Sequence, residues 1–157
     1  MKTLADAFEH TLQDIYYAEN ALTKALPKVS KAVSNKKLAK ALDQHLSETK
    51  DQVKTLNKVF KSIGKKPSGE KCDAIDGLIK ETDGIIKEAK GAALNAAVIG
   101  ACQAVEHYEI ARYGTLREWA KILDHAEAHD LLTSILDQEK AANSKLTNLA
   151  VSTVNGK

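Results

Sequence analysis

Four long segments of this sequence carry apolar residues at alternating steps of three and four, and a glutamate interrupts each row near its middle. Steps of three and four place residues on one face of an α-helix, so each segment predicts a long helix with a buried apolar face. A carboxylate on that face loses its water and needs a cation, a proton or hydrogen bonds in return. The four central residues are Glu19, Glu48, Glu109 and Glu139.

The composition favours an all-α fold. Only two prolines and eight glycines interrupt 157 residues, and the chain is 43% hydrophobic and 28% charged, as in soluble globular proteins. A chain of this length is most simply one domain, spanning residues 1–157. The net charge of +2 is too small to indicate a nucleic-acid partner. No apolar run approaches the roughly 20 residues that a membrane span requires.

The sequence also indicates the cellular compartment. Its first ten residues are amphipathic and include acidic side chains, which is not typical of a signal peptide. Cys72 and Cys102 lack the spacing of a metal-binding motif and are expected to be reduced thiols. We therefore expect a cytoplasmic protein.

Turn signals divide the chain into four main helices and a long connection. Ser34 and Asn35 supply a short turn with a helix cap, so the first two helices should be antiparallel neighbours. Gly64 should end the second helix, and Asp124 with Glu127 should form a capping box before the fourth. The connection should contain its own helix and can cross the length of the bundle. The predicted segments are 3–33, 36–63, 69–90 (the connection), 92–123 and 124–154.

The spacing of the central glutamates predicts that they share one layer. Glu48 follows Glu19 by 29 residues, and Glu139 follows Glu109 by 30. With a rise of about 1.5 Å per residue, the two members of each pair meet at one height in an antiparallel hairpin. Four close, desolvated carboxylates repel one another unless they are protonated or bridged by cations. Two divalent metal ions would neutralise them, so a dinuclear metal site is the leading hypothesis.

Two further residues could complete such a site. Glu106 lies one turn before Glu109 and could add a carboxylate, although it could equally be a solvated edge residue. His45 lies one turn before Glu48 and could be an imidazole ligand, or a core histidine bonded to a neighbouring carboxylate.

Other side chains decide between a metal site and a salt-bridged interior. Tyr16, Tyr108 and Tyr113 lie within a turn of the layer and are expected to hydrogen-bond its glutamates. In the alternative interpretation, each glutamate turns to the bundle edge and pairs with a cation, for which Arg112 and Lys140 are available.

Several motifs of the chain carry a family resemblance. They are DIYYAE at 14–19, HLSET at 45–49, KCDAIDGLI at 71–79, and VEHYEIA at 105–111 with YGTL at 113–116. These motifs closely resemble those of the YciF-like bacterial stress proteins, and the resemblance extends from end to end. It implies membership of the ferritin-like superfamily and a fold related to that of rubrerythrin. It also implies a dimeric helical bundle associated with stress, without an established reaction.

The resemblance also suggests which residues bind metal. The di-iron pattern of the superfamily places a glutamate on the first helix, as Glu19 does, and two on the third, as Glu106 and Glu109 do. It places Glu-x-x-His on the second and fourth helices, where Glu48 and Glu139 match the glutamates. Asp51 and Ala142 stand at the two histidine positions, so both histidines are absent, and His45 is the available replacement for one.

The sequence therefore predicts an all-α, ferritin-like four-helix bundle with a long helical crossover between helices 2 and 3, forming a homodimer. It should hold two iron or manganese ions and serve peroxide or oxygen handling. The main alternative is a non-enzymatic dimeric bundle that acts through a protein partner and keeps its carboxylates metal-free. A DNA-protecting mini-ferritin is disfavoured, because the carboxylate layer is complete within one chain and no basic tail is present.

Overall fold

The computed structural model describes residues 1–155, and within them five α-helices and a short π-helical end. The predicted boundaries agree with the observed ones within a few residues, apart from the end of the last α-helix. The elements are α1 (Leu4–Ala32), α2 (Lys36–Ser62), α3 (Asp73–Glu88), α4 (Gly91–Ile122), α5 (Ala126–Leu149) and the π-helix (Ala150–Val154).

Side chains at the start of α1 and α2 explain where these helices begin. Thr3 Oγ1 accepts a hydrogen bond from the Asp6 amide at 3.1 Å, and the Asp6 carboxylate accepts one from the Thr3 amide. Asn35 Oδ1 accepts from the amides of Lys37 and Leu38, both at 3.0 Å. These bonds satisfy amides that have no partner within the helix. The predicted turn and cap at Asn35 are confirmed.

Helices α2 and α4 end in the same way. Gly64 has a φ of 70°, and the following amide donates to Phe60 O at 2.9 Å. Asp124 has a φ of 57°, and the His125 amide donates to Ala120 O at 2.9 Å. A left-handed residue of this kind lets the chain satisfy the last carbonyls of a helix and turn away.

The predicted capping box at Asp124 is wrong. The residue before α5 is His125, and its side chain makes no capping hydrogen bond. Asp124 instead closes α4, because the connection is so short that this residue must reverse the chain.

The four long helices form a bundle in which α1 contacts α2 and α4, and α5 also contacts α2 and α4. The ring centroids of Phe8 and His125 are 5.9 Å apart, at the start of α1 and beyond the end of α4. At the opposite end, the Ser34 amide donates to Asn95 Oδ1 at 2.9 Å. Helices α1 and α4 are therefore antiparallel.

The connection between α2 and α4 crosses the length of the bundle. It starts where Lys65 pairs with Glu9 at 2.8 Å, and α3 then packs on the α1–α4 side of the bundle. Further along, Asp83 of α3 pairs with Lys28 near the end of α1 at 2.6 Å. The predicted helical crossover is confirmed, and with it the fold class.

Buried apolar side chains fill the bundle on both sides of a polar middle layer. Phe8, Leu12 and Leu116 lie towards one end, and Leu26, Val29 and Leu38 lie towards the other. Each such side chain contributes roughly 1.5–3 kcal/mol on burial, so the apolar ends can offset the cost of a polar middle. Within residues 1–155, no helix is both long and apolar enough to cross a membrane.

Candidate metal centre

Four glutamates and a histidine meet in the middle of the bundle. Glu19 comes from α1, Glu106 and Glu109 from α4, and Glu139 from α5, and each is at most 1% exposed. His45 reaches the cluster from α2, with Nε2 at 3.3 Å from Glu106 Oε1. One ligand atom from each of His45, Glu106, Glu109 and Glu139 lies within 4.8 Å of the others.

Two donors orient the outer carboxylates of this cluster. The Tyr113 hydroxyl donates a hydrogen bond to Glu19 Oε1, and the Gln52 amide donates one to Glu139 Oε1. Gln52 also donates to Gln138 Oε1 at 3.2 Å, so its amide spans α2 and α5. These bonds leave much of the cluster without partners. The unpartnered buried atoms are Glu19 Oε2, Glu106 Oε2, both Glu109 oxygens, Glu139 Oε2 and His45 Nδ1.

Burial strongly disfavours negative charge in this layer. It raises the pKa of Glu106 to about 10, and the neighbouring Glu139 adds to the effect. Burial and repulsion by Glu139 raise the pKa of Glu19 to about 8, against the opposing bond from Tyr113. Burial, followed by repulsion from Glu19, holds the pKa of Glu109 well above its usual range. Without a cation, the cluster therefore retains protons near neutral pH.

Cationic side chains do not neutralise the cluster. Among residues 1–155, no lysine or arginine forms an ion pair with Glu19, Glu106, Glu109 or Glu139. Arg112 lies 3.7 Å from the Asp14 carboxylate, and Lys140 is exposed. The salt-bridged interpretation of these four glutamates is therefore wrong.

The donor set fits divalent iron or manganese. Five carboxylate oxygens without hydrogen-bond partners lie in this buried cluster, and His45 faces it through Nε2. Carboxylate ligands suit manganese and similar hard cations, and imidazole suits iron. Entry of two divalent ions would replace the retained protons and supply the missing partners.

Glu48 stands apart from the cluster. It is half-buried at the edge of α2, and its Oε1 accepts a hydrogen bond from Gln44 Nε2 at 2.9 Å. Its charge still contributes to the raised pKa of Glu106, so the two carboxylates are near one another. The structure thus brings five of the six predicted site residues together and leaves Glu48 at the periphery.

A small rotation of α2 explains this position. The spacing predicts a row that includes Ala41 and Glu48, but the buried face has Leu42 and Thr49 at the corresponding places, one residue further in each case. Both rows share His45 and have helical spacing, so periodicity alone does not separate them. Gln52 lies on both rows, but the sequence pattern indicated no partner for it. Its one sequence signal is a polar side chain within a mainly apolar row.

The three tyrosines have different partners. Tyr113 binds a cluster glutamate, as predicted. The Tyr108 hydroxyl instead donates to Asp14 Oδ2 at 2.6 Å and lies 3.0 Å from Cys72 Sγ. The Tyr16 ring packs edge-on against Phe60. The predictions for Tyr108 and Tyr16 are therefore wrong, because both side chains point away from the layer.

A family model described as a domain of unknown function, DUF892, matches residues 3–157. This chain belongs to the DUF892 family. It is 45% identical to protein YciF of Escherichia coli (strain K12) over 159 residues, which cover 100% of this chain and 96% of that protein. The resemblance seen in the sequence motifs is confirmed.

Solved structures support the same assignment for this DUF892 chain. The E. coli stress protein YciF matches with a TM-score of 0.96 and 45% identity over 100% of both chains. YcfI from Rhodopseudomonas palustris, for which a structural role has been suggested, matches with a TM-score of 0.90 and 51% identity. The match covers 93% of this chain and 94% of that chain. A Xanthomonas campestris protein, XCC3681, is 19% identical, with a TM-score of 0.77 over 98% of this chain and 94% of that chain. This likeness shows the shared fold alone.

Proposed function

We propose that this chain is a cytoplasmic stress-response protein that binds two iron or manganese ions and handles peroxide or oxygen. The observation that carries the proposal is the set of five buried carboxylate oxygens and one imidazole nitrogen without partners. Leaving such groups unsatisfied costs several kcal/mol, and divalent cations remove that cost. The similarity to a named stress protein supports the physiological setting.

The proposed ligands are His45, Glu19, Glu106, Glu109 and Glu139. Neither Glu109 oxygen has a hydrogen-bond partner, so both would be available to hold metal. Tyr113 and Gln52 each occupy one oxygen of a ligand carboxylate and so fix its orientation. Glu48 is close enough to affect Glu106 electrostatically and is a peripheral candidate.

The surrounding residues suit redox chemistry by excluding water and by holding protons. When bound, two redox-active ions would supply two electrons, which with two protons reduce one hydrogen peroxide to two waters. Apolar side chains on both sides of the layer keep bulk water out. Burial also raises the pKa of the Tyr113 hydroxyl, so this donor stays protonated at neutral pH.

Elemental analysis tests this proposal directly. Protein purified without chelator or nickel affinity resin should contain about two iron or manganese ions per chain. The variants Glu109→Ala and Glu139→Ala should lose this metal, whereas Glu118→Ala, an exposed position on α4, should retain it. A metal-free wild type, even after anaerobic loading with ferrous or manganous ion, would refute the metal site.

A non-enzymatic bundle acting through a protein partner is the second candidate. The structural role suggested for the R. palustris relative favours it. It requires a fully folded metal-free protein whose melting temperature is unaffected by chelators, whereas the metal proposal predicts a lower melting temperature after chelation. In either case we propose a homodimer, which light scattering would distinguish from a monomer or a shell.

A further inference from the structure

Two narrow clefts reach His45 and Glu106 from different sides of the bundle. The first, which we call the apolar cleft, encloses about 30 Å³ between α1, α3 and α4. The second encloses about 20 Å³ between α2, α4 and α5, and is also lined by Glu48 and Lys145. The two clefts thus lead to the same part of the carboxylate cluster from different sides, and of the two the second is lined by a lysine.

Hydrocarbon side chains dominate the walls of the apolar cleft. Leu22, Leu26 and Val29 of α1 face Ile79 of α3 and Val105 of α4. An ion that passed Asp83 and entered this cleft would lose its water without gaining a counter-charge until it met the cluster. An uncharged molecule has no such desolvation cost.

A wider basin adjoins the apolar cleft. This basin, of about 400 Å³, lies between α1 and α3, and Ala25, Ile79 and Asp83 line both spaces. These three residues therefore lie at the boundary between the basin and the cleft, which we call the neck. Lys28, on the wall of the basin, pairs with Asp83 at 2.6 Å and ties α3 to α1 there.

We propose that the apolar cleft is the access path by which a small uncharged oxidant, dioxygen or hydrogen peroxide, reaches the cluster. This inference rests on the proposed metal-dependent function. A water-sized probe needs roughly 10–15 Å³, so the cleft holds a molecule of two heavy atoms and excludes organic substrates. The crossover helix α3 thereby acquires a function, because it supplies the outer wall of the path.

Xenon binding tests the cleft without any metal. Xenon is an uncharged apolar probe that occupies dry cavities lined by hydrocarbon. In 129Xe NMR of the metal-free protein, wild type should shift the xenon signal saturably. Ala25→Leu should abolish that shift by filling the neck, and Ile79→Ala should strengthen it. Ala142→Leu, a matched substitution in the second cleft, should leave it unchanged.

Stopped-flow oxidation of the reduced, metal-loaded protein tests the path itself. Ala25→Leu should slow oxidation by dioxygen and by hydrogen peroxide about tenfold at unchanged metal content, and Ile79→Ala should accelerate it. The smaller change Ala25→Val should give an intermediate rate, which guards against a misfolded leucine variant. Ala142→Leu should again resemble wild type.

The outcomes separate this inference from the proposed function. Oxidation rates that do not respond to Ala25 or Ile79, in variants with full metal content, would overturn the access path. Slowing by Ala142→Leu alone would assign the path to the second cleft and also overturn the inference. Absence of metal from the wild type would refute the proposed function. A wild-type protein that does not shift the xenon signal would refute the cleft.

Discussion

Tyr113 and Gln52 are the two residues that orient glutamates of the cluster by hydrogen bonds. Each donates a hydrogen bond to a cluster glutamate, so one oxygen of Glu19 and one of Glu139 already have a donor. The remaining oxygens are left free for cations. Donors of this kind orient ligands and typically affect metal affinity strongly even though they do not touch the ion.

Removing the Tyr113 hydroxyl should therefore weaken metal binding. For Tyr113→Phe we expect an affinity lower by about 10–100-fold, because Glu19 loses its orienting donor while the ring still fills its space. Isothermal titration with manganous ion would measure the change. Tyr16→Phe is the matched control, since the Tyr16 ring packs against Phe60. Equal affinities for wild type and Tyr113→Phe would show that the hydrogen bond from Tyr113 does not support metal binding.

The residue level is also where the sequence was least informative. Glu19, Glu109 and Glu139 could be located from periodicity, because each is the central charge in an otherwise apolar row. Glu48 could not be distinguished from Thr49, since both lie on rows with helical spacing. Packing of Leu42 and Phe60 on α2 fixes the rotation, and such contacts depend on partners distant in sequence.

At the level of elements, both short connections were predictable in position, and the cap at Asn35 was predicted correctly, but the capping at Asp124 was not. The sequence placed the break after Leu123, where the apolar row ends, and the observed α4 ends one residue earlier, at Ile122. It did not show that Asp124 adopts a left-handed conformation, because aspartate is also a frequent cap at helix starts. The choice depends on how sharply α4 must turn into α5.

The left-handed conformation of Asp124 makes it a site for stabilisation. Glycine adopts a φ of 57° without strain, so Asp124→Gly should raise the free energy of unfolding by about 0.5–1 kcal/mol. Asp124→Val should lower it, because β-branched side chains clash in this conformation. Urea unfolding monitored by circular dichroism would measure both. If neither Asp124→Gly nor Asp124→Val changed the free energy of unfolding, the predicted strain would be contradicted.

At the level of the whole molecule, the cluster links stability to pH. The raised pKa values of about 10 for Glu106 and about 8 for Glu19 mean that the folded, metal-free protein holds protons that the unfolded chain releases near pH 4–5. The stabilising contribution is complete below that range and is lost as pH rises through the folded pKa values.

Stability of the metal-free protein should therefore fall between pH 6 and pH 9, on the order of 1 kcal/mol per pH unit for each such carboxyl. Urea unfolding in the presence of chelator would measure this slope. Glu106→Gln should flatten it, because the amide has no proton to lose in this range. A wild-type stability that is independent of pH would show that the carboxylates are already ionised without metal.

The division of the cluster between two hairpins has a consequence for how the molecule holds together. The α1–α2 hairpin supplies Glu19 and His45, and the α4–α5 hairpin supplies Glu106, Glu109 and Glu139. Neither hairpin contains the whole donor set, so bound ions would hold the two hairpins together where they pack. Bound metal would then show that the two hairpins are packed correctly. Loss of the ions would weaken the packing between the hairpins before any helix unfolds.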